Sequence, residues 1–357
     1  MAHTNQLSLL MLGASYGLVF GLKAAHAGHH VTFVCKPNEQ ELINQGKAAI
    51  KLSSKLDGTR VTLSANDAPV PPVGISTQSV NPQDYDLCVL AMQEPQYADH
   101  EIQRVVKEII AAQIPILSIM NMPLPPFLKS NLGLKTHDIA SVWKNYALWD
   151  SIDPERFTAS SPDPQATTRI EDDTIIVDVN HPTNFKVGPF AKDKDQALLS
   201  VLAESQRVGG KSALQTGAKI VADKSRLVAI AKWPMLITGN FRSWSDGNIV
   251  SIKQAVHSDI RQSAEIYDWV CGVCHQLVKQ TDLGAVPLVP FEKYALAAET
   301  LTLPSSLARG LSAGAIAVER VDRLLQALAA KSNTSHPILD GIVSAVDNQL
   351  RINQESH

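Results

Sequence analysis

The sequence contains few cysteines, little excess charge and no long apolar run, and each shortage excludes a class of protein. Four cysteines among 357 residues are too few for a disulfide framework, so we expect a reducing compartment and a cytoplasmic protein. Lys and Arg number 32 against 35 Asp and Glu, a net charge of −3, and with no long basic run the chain is a poor candidate for a nucleic-acid binder. Apolar residues still make up 45% of the chain, enough for a folded core.

The longest apolar stretch, Leu7 to Leu22, resembles a membrane span or a secretory signal only superficially. Glycines and Ser15 interrupt it, and it is shorter than the ~20 residues of a spanning helix. No Lys or Arg precedes it, and Lys23 separates it from the cleavage-like Ala25-His26-Ala27. We therefore expect neither a membrane segment nor a signal peptide.

The same stretch is better interpreted as the start of a βαβ unit. The pattern predicts a strand over 7–12, a turn over 13–17, a helix over 18–27 that ends at Gly28, and a strand over 31–35. Two more strands are predicted over 86–92 and 114–120, with an amphipathic helix between them. A β-α-β alternation of this kind predicts a Rossmann-type, doubly wound parallel sheet.

The pattern of predicted secondary structure changes twice in the rest of the chain. Residues 160–164 and 171–173 read as loop and turn, and strands over 174–179 and 185–187 are spaced like a hairpin. Helical patterns then cover 222–240, 252–280, 294–313, 313–331 and 338–350. A domain size of about 150 residues favours two domains. We expect a nucleotide-binding α/β domain over 1–220 and an all-helical domain over 221–357.

The turn between the first strand and helix carries the clearest binding motif, made of Gly13, Ala14, Ser15, Tyr16 and Gly17. Glycines there let the backbone approach a pyrophosphate, and the N-terminus of the helix offers free N–H groups to its charge. Ser15 stands where a second glycine is usual, so the turn of some other α/β protein stays an alternative. Gly21, one helical turn on, fits a close contact between helix and sheet.

Lys36 ends the second strand, at the position that meets the ribose of a bound dinucleotide. A cation there favours a 2′-phosphate, whereas an acidic residue would favour a free 2′-hydroxyl. We therefore expect NADPH rather than NADH. The cofactor would also contact the strand ends at Met92 and Asn121.

The chain from Gly13 to Lys36 resembles the start of the ketopantoate reductases (2-dehydropantoate 2-reductases). Weaker matches follow in the same order, and they include Asp86 to Gln96, Pro115 to Asn121, Thr174 to Phe190, Lys232 with Asn240, Leu303 to Ser306, Glu319 to Asp322 and His336-Pro337. The resemblance implies an NADPH-dependent oxidoreductase that transfers hydride to a small 2-keto acid and forms a 2-hydroxy acid, an activity of pantothenate biosynthesis.

The resemblance also implies roles for individual residues. Lys232 would be the general acid, Glu319 would orient substrate or cofactor, and Asn121, Asn240 and Ser306 would bind substrate. This sequence departs from the family at several positions, which include Ser15, Gln93 in place of a lysine, Met122 in place of a glycine, and Leu236 in place of an asparagine. These departures leave the substrate open, and the oligomeric state, including a homodimer, stays open as well.

Two other functions remain alternatives. An opine-type or other two-domain dehydrogenase would use a histidine and aspartate pair, for which His257 and Asp259 are the local candidates. A degenerate, non-catalytic nucleotide-binding protein would explain the departures from the family. Cys271 to His275 matches a haem-attachment pattern but lies in a predicted helix, and His26, His29 and His30 are interpreted as solvated turn residues. We therefore expect no metal site.

Overall fold

A computed structural model describes residues 6–53, 58–161, 165–181, 183–208, 216–245, 247–279 and 281–356. Its strands are, in chain order, β1 (Ser8–Leu12), β2 (His30–Val34), β3 (Ala48–Ser53), β4 (Arg60–Ser64), β5 (Val73–Ile75), β6 (Leu87–Leu90), β7 (Ile116–Ser118), β8 (Phe157–Ala159), β9 (Ala166–Glu171), β10 (Thr174–Val179), β11 (Phe185–Val187), β12 (Ile220–Ala222), β13 (Trp244–Ser245) and β14 (Asn248–Ile249).

The α-helices are, in the same order, α1 (Gly17–His26), α2 (Pro37–Asn44), α3 (His100–Ala111), α4 (Pro125–Leu132), α5 (Tyr146–Asp150), α6 (Asp193–Val208), α7 (Trp233–Met235), α8 (Ile252–His257), α9 (Ile260–Val278), α10 (Phe291–Ala298), α11 (Ser306–Ser312), α12 (Val321–Lys331) and α13 (Pro337–Glu355). The contacts within the chain divide it into two compact units. The first comprises the chain up to Met92, Gln96–Met120 and Ala147–Arg226, and the second comprises Gln93–Pro95, Asn121–Tyr146 and the chain from Leu227.

The first unit is built on a six-stranded sheet in the order β5-β2-β1-β6-β7-β8. Every neighbouring pair in this sheet is parallel. The strand order reverses between β1 and β6, and ligands of doubly wound sheets bind at the carboxyl ends of strands at such a reversal. The predicted Rossmann-type sheet is therefore confirmed, and its switch point lies directly before Gly13 and Met92.

Smaller sheets complete the first unit. One contains four strands in the order β4-β3-β10-β9, and another consists of β11 and β12. The predicted hairpin of β10 with β11 is wrong, because β10 pairs with β3 and β9 while β11 pairs with β12. These strands therefore pair with strands that are distant in the sequence. The turn predicted over 171–173 lies between β9 and β10, whereas residues 162–164 of the other predicted loop lie outside the described residues.

The second unit is helical, as predicted, apart from the hairpin of β13 and β14. The helix predicted over 222–240 begins only at Ile230 and passes through a 3-10 turn, α7 and a π-helical turn, Leu236–Phe241. The single helix predicted over 294–313 is two helices, α10 and α11, and the next helix begins at Val321. No helix among the described residues is long and apolar enough to cross a membrane.

Candidate functional site

The glycine-rich turn after β1 is shaped by close packing at the sheet's switch point. Gly13 has a φ of +111°, and a Cβ on it would lie 2.5 Å from Met92 Cγ. A Cβ on Gly17 would lie 2.9 Å from the Cβ of Ala91. Larger residues would force the turn away from the end of β6. A Cβ on Gly21 would meet the Phe33 ring, which confirms the predicted close contact between helix and sheet.

The first turn of α1 uses some of its own N–H groups, since those of Leu18 and Val19 donate to the Ser15 and Tyr16 carbonyl oxygens at 3.3 and 3.1 Å. Tyr16 is the N-cap residue, and its side chain makes no capping hydrogen bond to the helix. Ser15, at the position of the missing glycine, is exposed, and its Oγ lies 2.7 Å from Thr168 Oγ1. The turn retains backbone N–H groups of the kind that bind pyrophosphate, although Ser15 takes part in a hydrogen bond to β9.

Lys36 lies just beyond the carboxyl end of β2, and its side chain is exposed. It precedes α2, and its backbone N–H donates to Glu39 Oε2 at 3.1 Å. Glu39 is therefore engaged with the start of the helix. The preceding Cys35 is partly buried, and burial raises its thiol pKa to about 12, which makes it a poor nucleophile.

A pocket in the second unit brings together five of the residues predicted from the sequence. Its volume is about 40 Å³, and its lining consists of Gln93, Asn121, Leu236, Asn240, Phe241, Ser306, Leu307, Val318, Glu319 and Val321. The space is enough for a few water molecules. Half of this lining is apolar and half is polar, and none of it is Lys or Arg. Lys232, the predicted general acid, is not among the residues of this lining.

The helical segment that carries Lys232 and Asn240 is distorted. Lys232 is partly buried and ends the 3-10 turn before α7, whereas Asn240 lies in the π-helical turn. A Cβ on Gly239 of this turn would collide with the Tyr294 hydroxyl, which donates to the Met235 carbonyl at 3.1 Å. Single π-helical turns occur frequently at functional sites, because they redirect side chains locally.

A serine next to the predicted one performs the capping role at α11. Ser305 Oγ accepts from the Ala308 N–H at 3.1 Å and donates to the Asn240 carbonyl at 2.7 Å. It therefore joins α11 to the π-helical turn. This leaves the exposed Ser306 side chain at the pocket without a capping function. The sequence alone did not show which serine of this pair caps α11 and which one lines the pocket.

Glu319 has the most unusual environment in the pocket. Part of its surface is accessible, yet the protein surrounds the carboxyl group, and this desolvation raises its pKa to about 8. The charge of Glu94 raises it further, while hydrogen bonds from the backbone at Glu94, Asn121 and Met122 oppose the rise. Burial therefore favours the protonated form of Glu319.

Glu94 is a residue of this region that the sequence analysis missed. It is 2% exposed, and its carboxylate accepts from backbone N–H groups of Lys144 and Asn145 at 3.2 and 2.9 Å. The side-chain amide of Asn145 lies 3.3 Å from the same carboxylate. An acidic residue a few positions after a buried strand was the only signal in the sequence.

The cysteines that match a haem-attachment pattern and the clustered histidines have structural explanations. Cys271 and Cys274 lie within α9, and burial raises the pKa of both thiols, that of Cys271 to about 11. The prediction of solvated turn histidines is wrong for His29, which is buried, and His26 Nε2 lies 2.9 Å from the Ser64 carbonyl oxygen. Among the residues that the structure describes, no three His, Cys, Asp or Glu side chains are grouped for a metal ion.

Comparison with known proteins gives a match in structure but none in sequence. No protein-family model and no curated protein matches the chain. A ketopantoate reductase of the PanE/ApbA family from Ralstonia eutropha JMP134 is 14% identical, with a TM-score of 0.63 over 98% of this chain and 100% of that one. The 2-dehydropantoate 2-reductase from Geobacter metallireducens GS-15 is also 14% identical, with a TM-score of 0.65 over 96% of this chain and 99% of that one.

This chain has the ketopantoate reductase fold. A D-mandelate dehydrogenase shares the fold, at 14% identity and a TM-score of 0.61 over 98% of this chain and 99% of that one. That structure is a ternary one, with NADH and anilino(oxo)acetate. The ketopantoate reductase fold thus carries enzymes named for two different substrates.

Proposed function

We propose that this protein is an NADPH-dependent reductase that converts a small 2-keto acid to a 2-hydroxy acid. The observation that carries the proposal is the pocket in the second unit. Gln93, Asn121, Asn240, Ser306 and Glu319 come from distant parts of the sequence, yet all of them line it. The resemblance to the ketopantoate reductases singled out each of these positions.

The first unit fits a dinucleotide. Gly13 lies at the switch point of the sheet, and the space that a side chain would need there is closed by Met92 and Ala91. Gly13, Ala14, Ser15, Tyr16 and Gly17 would hold the pyrophosphate, while Met92, Gln93 and Asn121 would contact the cofactor near the strand ends. The exposed Lys36 would pair with a 2′-phosphate, which favours NADPH over NADH.

When bound, NADPH supplies the hydride. Lys232 would donate a proton to the carbonyl oxygen, and its partial burial favours the neutral amine after the transfer. Asn240 and Ser306 would hydrogen-bond the substrate, and Asn121 would contact both substrate and nicotinamide. Glu319, whose pKa is raised by burial, would orient the substrate through a hydrogen bond. The apolar half of the lining would contact the substrate's side chain.

The opine-type alternative has less support. His257 Nε2 lies 3.0 Å from the Ala295 carbonyl oxygen and 3.5 Å from Glu299 Oε1. Asp259 caps α9 by accepting from the Gln262 N–H at 2.9 Å. Both side chains therefore have structural partners. A nucleotide-binding protein without catalysis remains the second candidate, because Ser15 alters the glycine-rich turn and Gln93 alters the lining of the pocket.

A panel of small 2-keto acids, assayed with NADPH and NADH at the nicotinamide absorbance, tests the proposal. We expect turnover of at least one acid, a preference for NADPH in the native protein, and loss of that preference in Lys36→Glu. Lys232→Ala should bind NADPH by calorimetry yet lose turnover, whereas full turnover would refute its role as the acid. Binding of NADPH without turnover of any acid would favour the non-catalytic alternative. A cytoplasmic location and a homodimer stay predictions.

A further inference from the structure

Three residues of the π-helical turn line the pocket, and these are Leu236, Asn240 and Phe241. In a regular α-helix, at about 100° per residue, Phe241 would lie about 140° around the axis from Leu236. A π-helical turn contains more residues, because its hydrogen bonds join residues five apart, so it rotates less per residue. The wider turn therefore brings Phe241 towards the side of the helix that carries Leu236 and Asn240.

The hydroxyl group of Tyr294, a residue of α10, contacts this turn at its start. It donates to the carbonyl oxygen of Met235, the residue directly before the turn, at 3.1 Å. In an α-helix the same carbonyl would accept from the Gly239 N–H, so the hydroxyl competes with the regular helix for this acceptor. The hydroxyl also fills the space beside Gly239, where a Cβ would collide with it. Both contacts favour the π-helical form.

The ring of Tyr294 is held in place by its neighbours. It is 5% exposed and stacks on the ring of Tyr267, with 5.4 Å between the centroids and 19° between the planes. The two rings belong to one apolar cluster with Ile252. Burial and stacking restrict the ring, so its hydroxyl meets the turn in a defined position.

The other end of the turn is tied by Ser305. Its Oγ donates to the Asn240 carbonyl at 2.7 Å, and its N–H donates to Ser243 Oγ at 3.1 Å. The main chain is therefore fixed at two points, at Met235 by Tyr294 and at Asn240 by Ser305. These bonds use the Asn240 backbone, while Asn240 itself is part of the pocket lining.

We propose that Tyr294 is a positioning residue whose hydroxyl holds the π-helical turn that presents Asn240 to the substrate. This inference rests on the proposed function, in which Asn240 hydrogen-bonds a 2-keto acid. Tyr294 is not among the residues of the pocket lining, so it acts through the turn. A neutral hydrogen bond of this kind changes an equilibrium constant by about three- to tenfold, which is the loss of substrate binding that we expect without the hydroxyl.

Steady-state kinetics of Tyr294→Phe, which removes the hydroxyl and keeps the ring, test the proposal. KM for a 2-keto acid should rise about three- to tenfold while kcat stays within about twofold, because Asn240 contacts the bound substrate. Tyr267→Phe is the matched control, since it removes the hydroxyl of the stacked ring, whose acceptor is the Val289 carbonyl at 2.6 Å. Its KM should stay native. A lower apparent kcat with an unchanged KM in Tyr294→Phe would indicate a merely structural role and overturn the proposal.

Amide hydrogen exchange, followed by mass spectrometry without substrate or cofactor, tests the turn directly. Peptides that cover residues 236–241 should exchange about three- to tenfold faster in Tyr294→Phe than in the native protein. In Tyr267→Phe their exchange should stay close to native, which controls for a general loss of stability. Equal exchange in Tyr294→Phe and native protein, or equally faster exchange in both variants, would overturn the proposal.

Gly239→Ala tests the same contact from the side of the turn. Its Cβ would displace the Tyr294 hydroxyl, so KM should rise as it does in Tyr294→Phe. Because both substitutions break one contact, the double variant should have a KM within about twofold of that of Gly239→Ala. If the two effects multiply instead, the side chains act independently, and the result counts against the proposal.

The two measurements separate this inference from the proposed function. Faster exchange in Tyr294→Phe, without turnover of any keto acid by the native protein, would refute the proposed function but support the role of Tyr294 in holding the turn. Turnover by the native protein, with a native KM in Tyr294→Phe, would support the proposed function and refute the positioning role.

Discussion

His29 is a buried histidine whose protonation is expected to weaken the first unit. Its side chain is 1% exposed, its Nδ1 accepts from the Leu7 N–H at 3.2 Å, and its Nε2 lies 2.9 Å from Ser205 Oγ. The Ser205 hydroxyl donates to the Leu202 carbonyl at 2.8 Å, so its oxygen accepts from Nε2–H. The network therefore assigns the neutral tautomer with the proton on Nε2. A second proton on Nδ1 would face the Leu7 N–H.

The cost of that second proton can be calculated from the linkage between protonation and folding. Burial, with a smaller contribution from His30, lowers the pKa of His29 from 6.5 to about 4. The unfolded chain therefore binds this proton first as the pH falls, so stability is lost between about pH 6.5 and pH 4. Between pH 7 and pH 4.5 the loss in the free energy of unfolding should be about 2 kcal/mol. This is a large share of a typical total of about 5–15 kcal/mol.

Urea unfolding at pH 7, 5.5 and 4.5, followed by circular dichroism, measures this loss. His29→Gln should be less stable at pH 7, but its stability should depend less on pH than that of the native protein by about 2 kcal/mol over this range. His30→Gln changes the adjacent, exposed histidine and is the matched control, so its pH dependence should stay close to native. Equal pH dependence in His29→Gln and native protein would refute the reasoning.

Three glycine substitutions test the packing described above. Gly13→Ala should weaken NADPH binding by at least about tenfold in calorimetry, because its Cβ would displace Met92 and the turn; unchanged affinity would contradict this role. Gly21→Ala should lower the free energy of unfolding by about 1–3 kcal/mol, since its Cβ would press on the Phe33 ring. Gly272→Ala, which faces open space in α9, should instead raise it by about 0.5–1 kcal/mol. A loss in Gly272→Ala equal to that in Gly21→Ala would show that the clash is not the cause.

Local signals predicted the first βαβ unit well. The apolar run of β1, the glycines at 13 and 17, and the helix stop at Gly28 depend on neighbours in the chain, and the structure has all of them. The hairpin predicted from β10 and β11 failed because a strand's sequence specifies its own conformation and not its partner. The helical character predicted after residue 221 is correct. The helices start and break at other residues than expected, because tertiary contacts override the periodicity of the sequence.

In the candidate pocket, too, the sequence predicted some features and the tertiary structure decided others. The sequence, through its resemblance to a family, identified Glu319 and Asn240 as separate positions along the chain. It gave no sign that Glu94 is buried among N–H donors, because that burial depends on where residues 144 and 145 lie in the folded second unit. The raised pKa of Glu319 comes mainly from burial, which depends on the folded second unit and not on its neighbours in the chain.

The amino-acid sequence by itself determined the fold class, the glycine turn and the lysine at the end of β2, because each follows from hydrophobic periodicity or from contacts between near neighbours. Only the tertiary structure decided the strand pairings, the π-helical turn at Asn240, the neutral tautomer of buried His29 and the raised pKa of Glu319. Pairing, desolvation and electrostatic coupling are properties of groups that folding brings together, and no stretch of sequence contains both partners.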